Sequence, residues 1–236
     1  MRFLTSKYTD PGGRSPNEDA VDYFTKNTFS AWIAADGLGG HSQGELASAE
    51  AVRSLKEQME VCTGLDSNFV EKAYKKMNDD VLSLNGPLTT AVCAFSDGHK
   101  LWYANNGDSR FIFIRNKEVI HHTNDHSLAY VSYSAGQITY EEISIHPAQN
   151  RLFHSLGNET DFVGEFYPSL ELKSGDAFLL CTDGFWELIN NDEIIRPLNI
   201  SSTPKDWLSM MLEKIQSRLK STSDNYSAVC VMVKEE

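Results

Sequence analysis

Phe29-Ser30-Ala31-Trp32-Ile33-Ala34-Ala35-Asp36-Gly37-Leu38-Gly39-Gly40 is the stretch from which the rest of the chain is read. Phe29 to Ala35 is a short apolar run closed by Asp and Gly, which reads as a strand. Beyond the glycines the spacing changes: Leu46, Ala49, Val52, Leu55 and Met59 recur with the period of a helix. Ser42, with Glu45 three residues on, forms a capping-box pattern that satisfies free amides at a helix start. A carboxylate on the last residue of a buried strand is held rigidly at a sheet edge. The glycine after it lets the backbone approach an ion closely.

Working outward, similar runs occur at Thr90 to Phe95, Leu101 to Tyr103, Phe111 to Arg115, Ala177 to Cys181 and Ser227 to Val233, and all read as strands. A second helix carries Phe69, Ala73, Tyr74, Met77, Val81 and Leu84. A third carries Trp207, Leu208, Met211, Leu212, Ile215 and Leu219, with Thr203 as its cap and Pro204 in its first turn, where a missing amide costs nothing. Short turns such as Phe95-Ser96-Asp97-Gly98-His99 favour antiparallel pairing. Strands in meanders, with amphipathic helices grouped between them, give an α+β layered fold. No linker or repeat divides the sequence, so residues 1–236 read as a single domain.

The 236 residues are 41% hydrophobic and 23% charged, enough to bury a sizeable core without disulfides or a structural metal. Thirty-three acidic residues against 21 basic ones give a formal charge of -12. That charge repels a phosphate backbone and argues against nucleic acid as a partner. No apolar run has the length of a membrane span and the first residues lack a signal-peptide pattern, so the expectation is a cytoplasmic protein without membrane association. Cys62, Cys93, Cys181 and Cys230 are far apart and read as buried small hydrophobes. Trp32, Trp102, Trp186 and Trp207 read as core, and most of the histidines as surface or turn residues.

Asp followed by Gly occurs at Asp36, Asp97 and Asp183. Asp97-Gly98 reads as a hairpin turn between flanking strands. Asp36 and Asp183 each end an apolar run instead, so two rigid carboxylates can converge. Asp224-Asn225 adds another at the entrance of the last strand, and Gly12-Gly13-Arg14-Ser15-Pro16-Asn17-Glu18-Asp19 joins a guanidinium to an acidic pair. Each alone also reads as a turn or a surface ion pair. Together they supply hard oxygen ligands suited to Mg²⁺ or Mn²⁺, and a planar fork suited to phosphate oxygens.

These segments resemble, in order, the motifs of the metal-dependent protein phosphatases, the PPM or type 2C serine/threonine family, in its compact bacterial form. They are Arg14-Ser15-Pro16-Asn17-Glu18-Asp19, Ala35-Asp36-Gly37-Leu38-Gly39-Gly40-His41, Thr89-Thr90-Ala91-Val92, Asn106-Gly107-Asp108-Ser109-Arg110, Cys181-Thr182-Asp183-Gly184-Phe185-Trp186-Glu187 and Asp224-Asn225-Tyr226-Ser227. The stretch from Asn124-Asp125-His126-Ser127-Leu128 through His146-Pro147-Ala148-Gln149-Asn150 resembles the family's flap, at about residues 124–157. The resemblance implies a four-layer α-β-β-α sandwich, two central antiparallel sheets flanked by helices, with the active site at one end.

By position, the resemblance implies that Asp36 bridges two Mn²⁺ or Mg²⁺ ions, with the Gly37 carbonyl on one and Asp183 and Asp224 on the other. Glu18 and Asp19 orient bound waters or ligate, Asn225 stands in the outer shell, and Asp108 serves a third ion. The implied reaction is direct hydrolysis of phosphoserine and phosphothreonine by a hydroxide that the two ions activate. In it, Arg14 holds the phosphoryl oxygens and balances charge on the leaving alkoxide. A phosphorylated protein is the implied partner, a serine/threonine kinase or its targets. The chain departs from eukaryotic relatives at Leu38, where they carry a histidine; His41 follows three residues later. Leu88 and Gln149 also differ from common family residues, whereas Arg110 reads as structural. A phosphoprotein-binding scaffold and a small-molecule phosphoesterase are the alternatives.

Overall fold

β3 (Phe29–Asp36) is buried on both faces, and its two faces belong to two different cores. In the computed structural model, which describes residues 1–38, 43–158 and 164–235, Ala31, Ile33 and Ala35 pack with the helices α1 (Gly44–Val61) and α2 (Ser67–Leu82). Trp32 and Ala34 point the other way, into the space between two sheets. Alternate residues of a strand face opposite sides, so a run apolar at every position is one that needs cover on both.

One sheet has the order β2 (Asp19–Lys26), β3, β4 (Ala91–Ser96), β5 (Lys100–Asn106) and β8 (Glu165–Phe166), with β9 (Leu170–Glu171) also on β5. The second has the order β1 (Arg2–Asp10), β11 (Tyr226–Lys234), β10 (Ala177–Cys181), β6 (Arg110–Arg115) and β7 (Glu118–His122). Every pairing is antiparallel. Between the sheets, Trp32 meets Phe3 and Phe178 edge to face at 4.9 and 5.0 Å, with Trp32 and Phe178 buried and Phe3 partly so. The outer face of the second sheet is covered by α4 (Asp183–Trp186), α5 (Asn191–Ile200) and α6 (Pro204–Gln216). This is the expected α+β sandwich, helices outside two antiparallel sheets.

Antiparallel order gathers chain reversals at two ends. The register pairs Asp19 with Asp36, Ala91 with Asn106, and Cys181 with both Ala228 and Arg110. One end of the sandwich therefore receives the start of β2, the end of β3, the turn before β6, the exit of β10 and the entrance of β11. Between β7 and β8 the chain leaves the sheet as residues 124–157, through α3 (Leu128–Ser134) and a 3-10 turn (Glu141–Ile145), and Leu156 bridges back to Thr89.

Local expectations meet the structure unevenly. α6 is capped by Thr203, whose Oγ accepts from the Asp206 amide at 3.2 Å, and Asp97-Gly98 turns between β4 and β5 with Gly98 at φ 90. All four cysteines are buried and free, and the four tryptophans are buried. Ser42 lies outside the described residues; Gln43 occupies the N-cap of α1 at φ 76 and makes no side-chain cap bond. α2 and α6 stop at Leu82 and Gln216, short of Leu84 and Leu219. His126 is buried at 6% exposure, accepting from the Gly107 amide at 3.2 Å, where a surface or turn position was expected of most histidines. β1, β2, β7 and α5 have no counterpart in the sequence reading. Among the described residues no helix is long and apolar enough to cross a membrane.

Candidate active site

Asp36 ends β3 with its peptide clamped by the paired threonines. Its amide donates to Thr90 Oγ1 at 3.0 Å, and its carbonyl accepts from the Thr90 amide and the Thr89 hydroxyl, both at 2.8 Å. Thr90 Oγ1 is in turn 2.7 Å from Ser109 Oγ, tying β3 to the turn that carries Asp108. The next residue, Gly37, donates to the Glu18 carbonyl at 3.0 Å, and a Cβ there would lie 2.2 Å from the Gly44 carbonyl oxygen. Only a bare backbone lets the start of α1 come this close. Burial and the Glu45 carboxylate raise the Glu18 carboxyl, against the opposing pull of Arg14 and of the Gly44 backbone at the first residue of α1, where a negative charge is favoured.

Asp183 opens α4, with Oδ1 on the Gly184 amide at 2.6 Å and Oδ2 3.5 Å from Gln149 Nε2 of the 124–157 segment. Asp224 precedes β11; its Oδ1 accepts from the Asn225 amide at 2.9 Å and its Oδ2 meets Arg14 Nη2 at 2.8 Å. Asn225 is a strut: its Oδ1 accepts from the Glu18 amide at 2.8 Å and its Nδ2 donates to the Pro11 carbonyl at 2.8 Å. Asp19 Oδ2 accepts from the Thr182 hydroxyl at 2.8 Å. Asp108 is 2% exposed, and its backbone carbonyl accepts from the Trp186 indole at 3.0 Å.

The charges in this end of the sandwich are lopsided. Burial raises Asp36 well above the ordinary carboxylate range, and Asp183, Asp19, Asp108 and Asp224 raise it further. Burial pushes Asp19 up to about 7 and Asp183 up to about 6, each helped by the carboxylate of Asp224. Asp108 is raised by burial and then by Asp183 and Asp125, against the pull of Arg110. Among the described residues, Arg14 and Arg110 are the cations that act on this group. So many acids sharing two cations is an arrangement that divalent ions relieve.

Whether these residues suit such ions is tested by their unmet valences. The buried Oδ1 atoms of Asp19 and Asp108 have no hydrogen-bond partner among the described residues. Leaving a buried acceptor unpaired costs about 1–3 kcal/mol, more for a charged group. The donors are all oxygen, the hard set that Mg²⁺ and Mn²⁺ prefer. Among the described residues, however, no three Asp, Glu, His or Cys side chains already stand as a set that could hold an ion. The reason is visible in the bonds above: Asp224 is turned to Arg14 and Asn225, Asp183 to Gly184, and Asp19 to Thr182. The residues fit hard cations by chemistry and burial, and Asp19 Oδ1 and Asp108 Oδ1 are buried acceptors with no hydrogen-bond partner among the described residues.

The structure brings Asp19, Asp36, Asp108, Asp183 and Asp224 within electrostatic reach of one another, with Glu18, Arg14 and Asn225 at the same end. His41 lies outside the described residues. Arg110 is buried and forms two bonds to Asp125 at 2.8 and 2.6 Å, the structural role expected of it. Sequence reasoning missed Glu187 as a site residue. Burial lifts it to about 8, with Asp183 and Asp224 adding to the rise. Its place one helical turn after Asp183 was the signal that could have found it, since residues four apart share a helix face.

A family model described as protein phosphatase 2C matches residues 12–222. The serine/threonine phosphatase stp of Listeria monocytogenes is 30% identical over 223 residues, covering 89% of this chain and 88% of that protein. Protein phosphatase PhpP of Streptococcus pneumoniae is 33% identical over 203 residues, covering 80% of this chain and 81% of that one. The crystal structure of serine/threonine phosphatase Stp1 from Staphylococcus aureus matches with a TM-score of 0.89 at 27% identity, over 100% of this chain and 96% of that chain.

Proposed function

Because the chain belongs to the protein phosphatase 2C family, we propose that it hydrolyses phosphoserine and phosphothreonine in proteins with the aid of two Mn²⁺ or Mg²⁺ ions, opposing a serine/threonine kinase. The observation that carries the reading is the group of buried carboxylates at one end of the sandwich, with two unpaired oxygens among them and Arg14 at its rim. In this reading Asp36, the Gly37 carbonyl, Asp183 and Asp224 would hold the two ions. Asp19 ligates or orients water, and Glu18 and Asn225 support from outside. Asp108, joined by Glu187, serves a third ion. The ions supply an activated water as nucleophile and screen charge on the phosphoryl group.

The chain's own residues do the rest. Arg14 is half exposed and reaches the cluster at Asp224, so its planar fork is available to phosphoryl oxygens arriving from solvent. The Thr89-Thr90 clamp keeps Asp36 from swinging when its partners change. Residues 124–157 form the flap, and Gln149 is the flap residue that reaches Asp183.

Hydrolysis of phosphoserine, phosphothreonine and phosphotyrosine peptides, with Mn²⁺ and with chelator, tests this. Release of phosphate from the first two, lost in chelator, is the expected result. Turnover of small phosphate esters alone would shift the assignment to a metabolite phosphoesterase, and binding of phosphopeptide without turnover to a scaffold.

A further inference from the structure

Trp186 ends α4, three residues after Asp183 and one before Glu187. Its indole N–H donates to the Asp108 carbonyl at 3.0 Å, crossing from α4 to the turn before β6. The guanidinium of Arg110 lies 3.4 Å from the centroid of the same indole, held by its two bonds to Asp125, with the Tyr140 ring 5.3 Å away. Trp186, Arg110 and Asp125 are 4%, 5% and 2% exposed. The stack therefore joins α4, the Asp108 turn and the 124–157 segment through buried side chains.

Asp108 on one side and Asp183 and Glu187 on the other repel each other. An uncharged link between the two backbones can hold them at a fixed separation without adding to either sign. The indole N–H to carbonyl bond is such a link, and the Arg110 stack keeps the indole from rotating away. The buried Asp108 Oδ1, without a hydrogen-bond partner among the described residues, is the atom whose position this fixes. Groups that orient ligands from behind commonly change ion affinity 10- to 100-fold when removed.

We infer that Trp186 is a positioning residue for the third divalent cation, its indole N–H setting the distance of Asp108 from Asp183 and Glu187. The inference rests on the ion assignment proposed above. The molecule contains its own control. Trp207, fully buried in the same core, donates its indole N–H to the Ile194 carbonyl at 2.9 Å, where neither residue belongs to the site.

Calorimetric titration of the full chain with Mn²⁺ compares wild type, Trp186→Phe, Trp207→Phe and Asp108→Asn, beside thermal melts of each in chelator. Expected are three uptake steps in wild type, the weakest missing in Asp108→Asn and weakened about 10-fold in Trp186→Phe. The tighter two steps stay within about twofold, as is usual for sites whose own ligands and supports are untouched. Trp207→Phe melts lower yet titrates as wild type. A Trp186→Phe titration identical to wild type overturns the inference, as does an equal weakening in Trp207→Phe, which would mark a stability effect. Two normal steps with no third, or a third that survives Asp108→Asn, overturn it while leaving the phosphatase reading standing. No Mn²⁺ uptake at all overturns both. Should Trp186→Phe be unfolded at the assay temperature, Trp186→Tyr, which fills more of the indole's volume, is titrated in its place against the same outcomes.

Discussion

Asp183→Asn in the metal-free protein removes one charge from a crowded group of carboxylates while keeping an oxygen for the Gly184 amide. Burial and Asp224 lift Asp183 from 3.8 to about 6, so the fold retains a proton that the unfolded chain has already lost over that window. Stability tied to that proton is complete below pH 3.8 and gone once pH has risen past about 6. At about 1.4 kcal/mol per tenfold change in proton affinity, wild type at pH 8 carries a penalty of roughly 3 kcal/mol that the amide does not. The new amide N–H₂ must find partners, at a cost of about 1 kcal/mol or more, leaving a net gain of about 1–2 kcal/mol. For a chain of this size that is a rise in Tm of about 2–8 °C. Differential scanning calorimetry in EDTA should show the variant melting higher at pH 8 and slightly lower than wild type below about pH 4, where the penalty on Asp183 has vanished and only the amide's cost of about 1 kcal/mol remains. Saturating Mn²⁺ should reverse the order, because only a protein that binds the ion gains from it. A variant less stable than wild type at pH 8 in EDTA would refute the reasoning, since Asp183 would then be a stabilising acceptor and not a strained ligand.

Three further outcomes follow from single contacts. Arg14→Ala should lower kcat/KM on phosphopeptides about 10- to 100-fold with Mn²⁺ uptake intact, and Lys should recover little because it lacks the planar fork; kinetics beside titration decide, and full activity in Arg14→Ala removes Arg14 from the phosphate site. Asp125→Ala strands the buried Arg110 guanidinium and should cost about 3–5 kcal/mol in urea unfolding, so a loss under 1 kcal/mol would contradict the ion pair's role. In Gly37→Ala the added carbon would sit 2.2 Å from the Gly44 carbonyl, forcing α1 away from Asp36. Mn²⁺ uptake should fall sharply in that variant, and an unaltered titration would show the close approach to be dispensable.

Much of this was legible before folding was considered. Strands buried on both faces cannot hide, because every side chain must be apolar; hence Phe29–Ala35 and Ala177–Cys181 stood out, and with them the carboxylates at their ends. β1 and β2 sit at sheet edges, where Thr5, Lys7, Asp22 and Lys26 are tolerated, so their apolar pattern is diluted. α5 was obscured by Pro197 within it, a residue that ordinarily ends a helix.

For the candidate site, the local pattern already marks the rigid carboxylates: Asp36 ends a buried strand, Asp183 follows one, and Asp224 leads into one. What they face depends on how the two sheets and their loops come together. Asp19 joins them because β2 pairs antiparallel with β3 in the register that sets Asp19 opposite Asp36. Arg14 bonds Asp224 because Gly12 and Gly13 let their loop close on the backbone of 221–224. Trp186 reaches Asp108 only because β10 and β6 are neighbours, with Cys181 opposite Arg110. Rigidity is a local property of a strand end and its glycine, whereas mutual repulsion and charge balance exist only between residues that the two sheets bring to a common end.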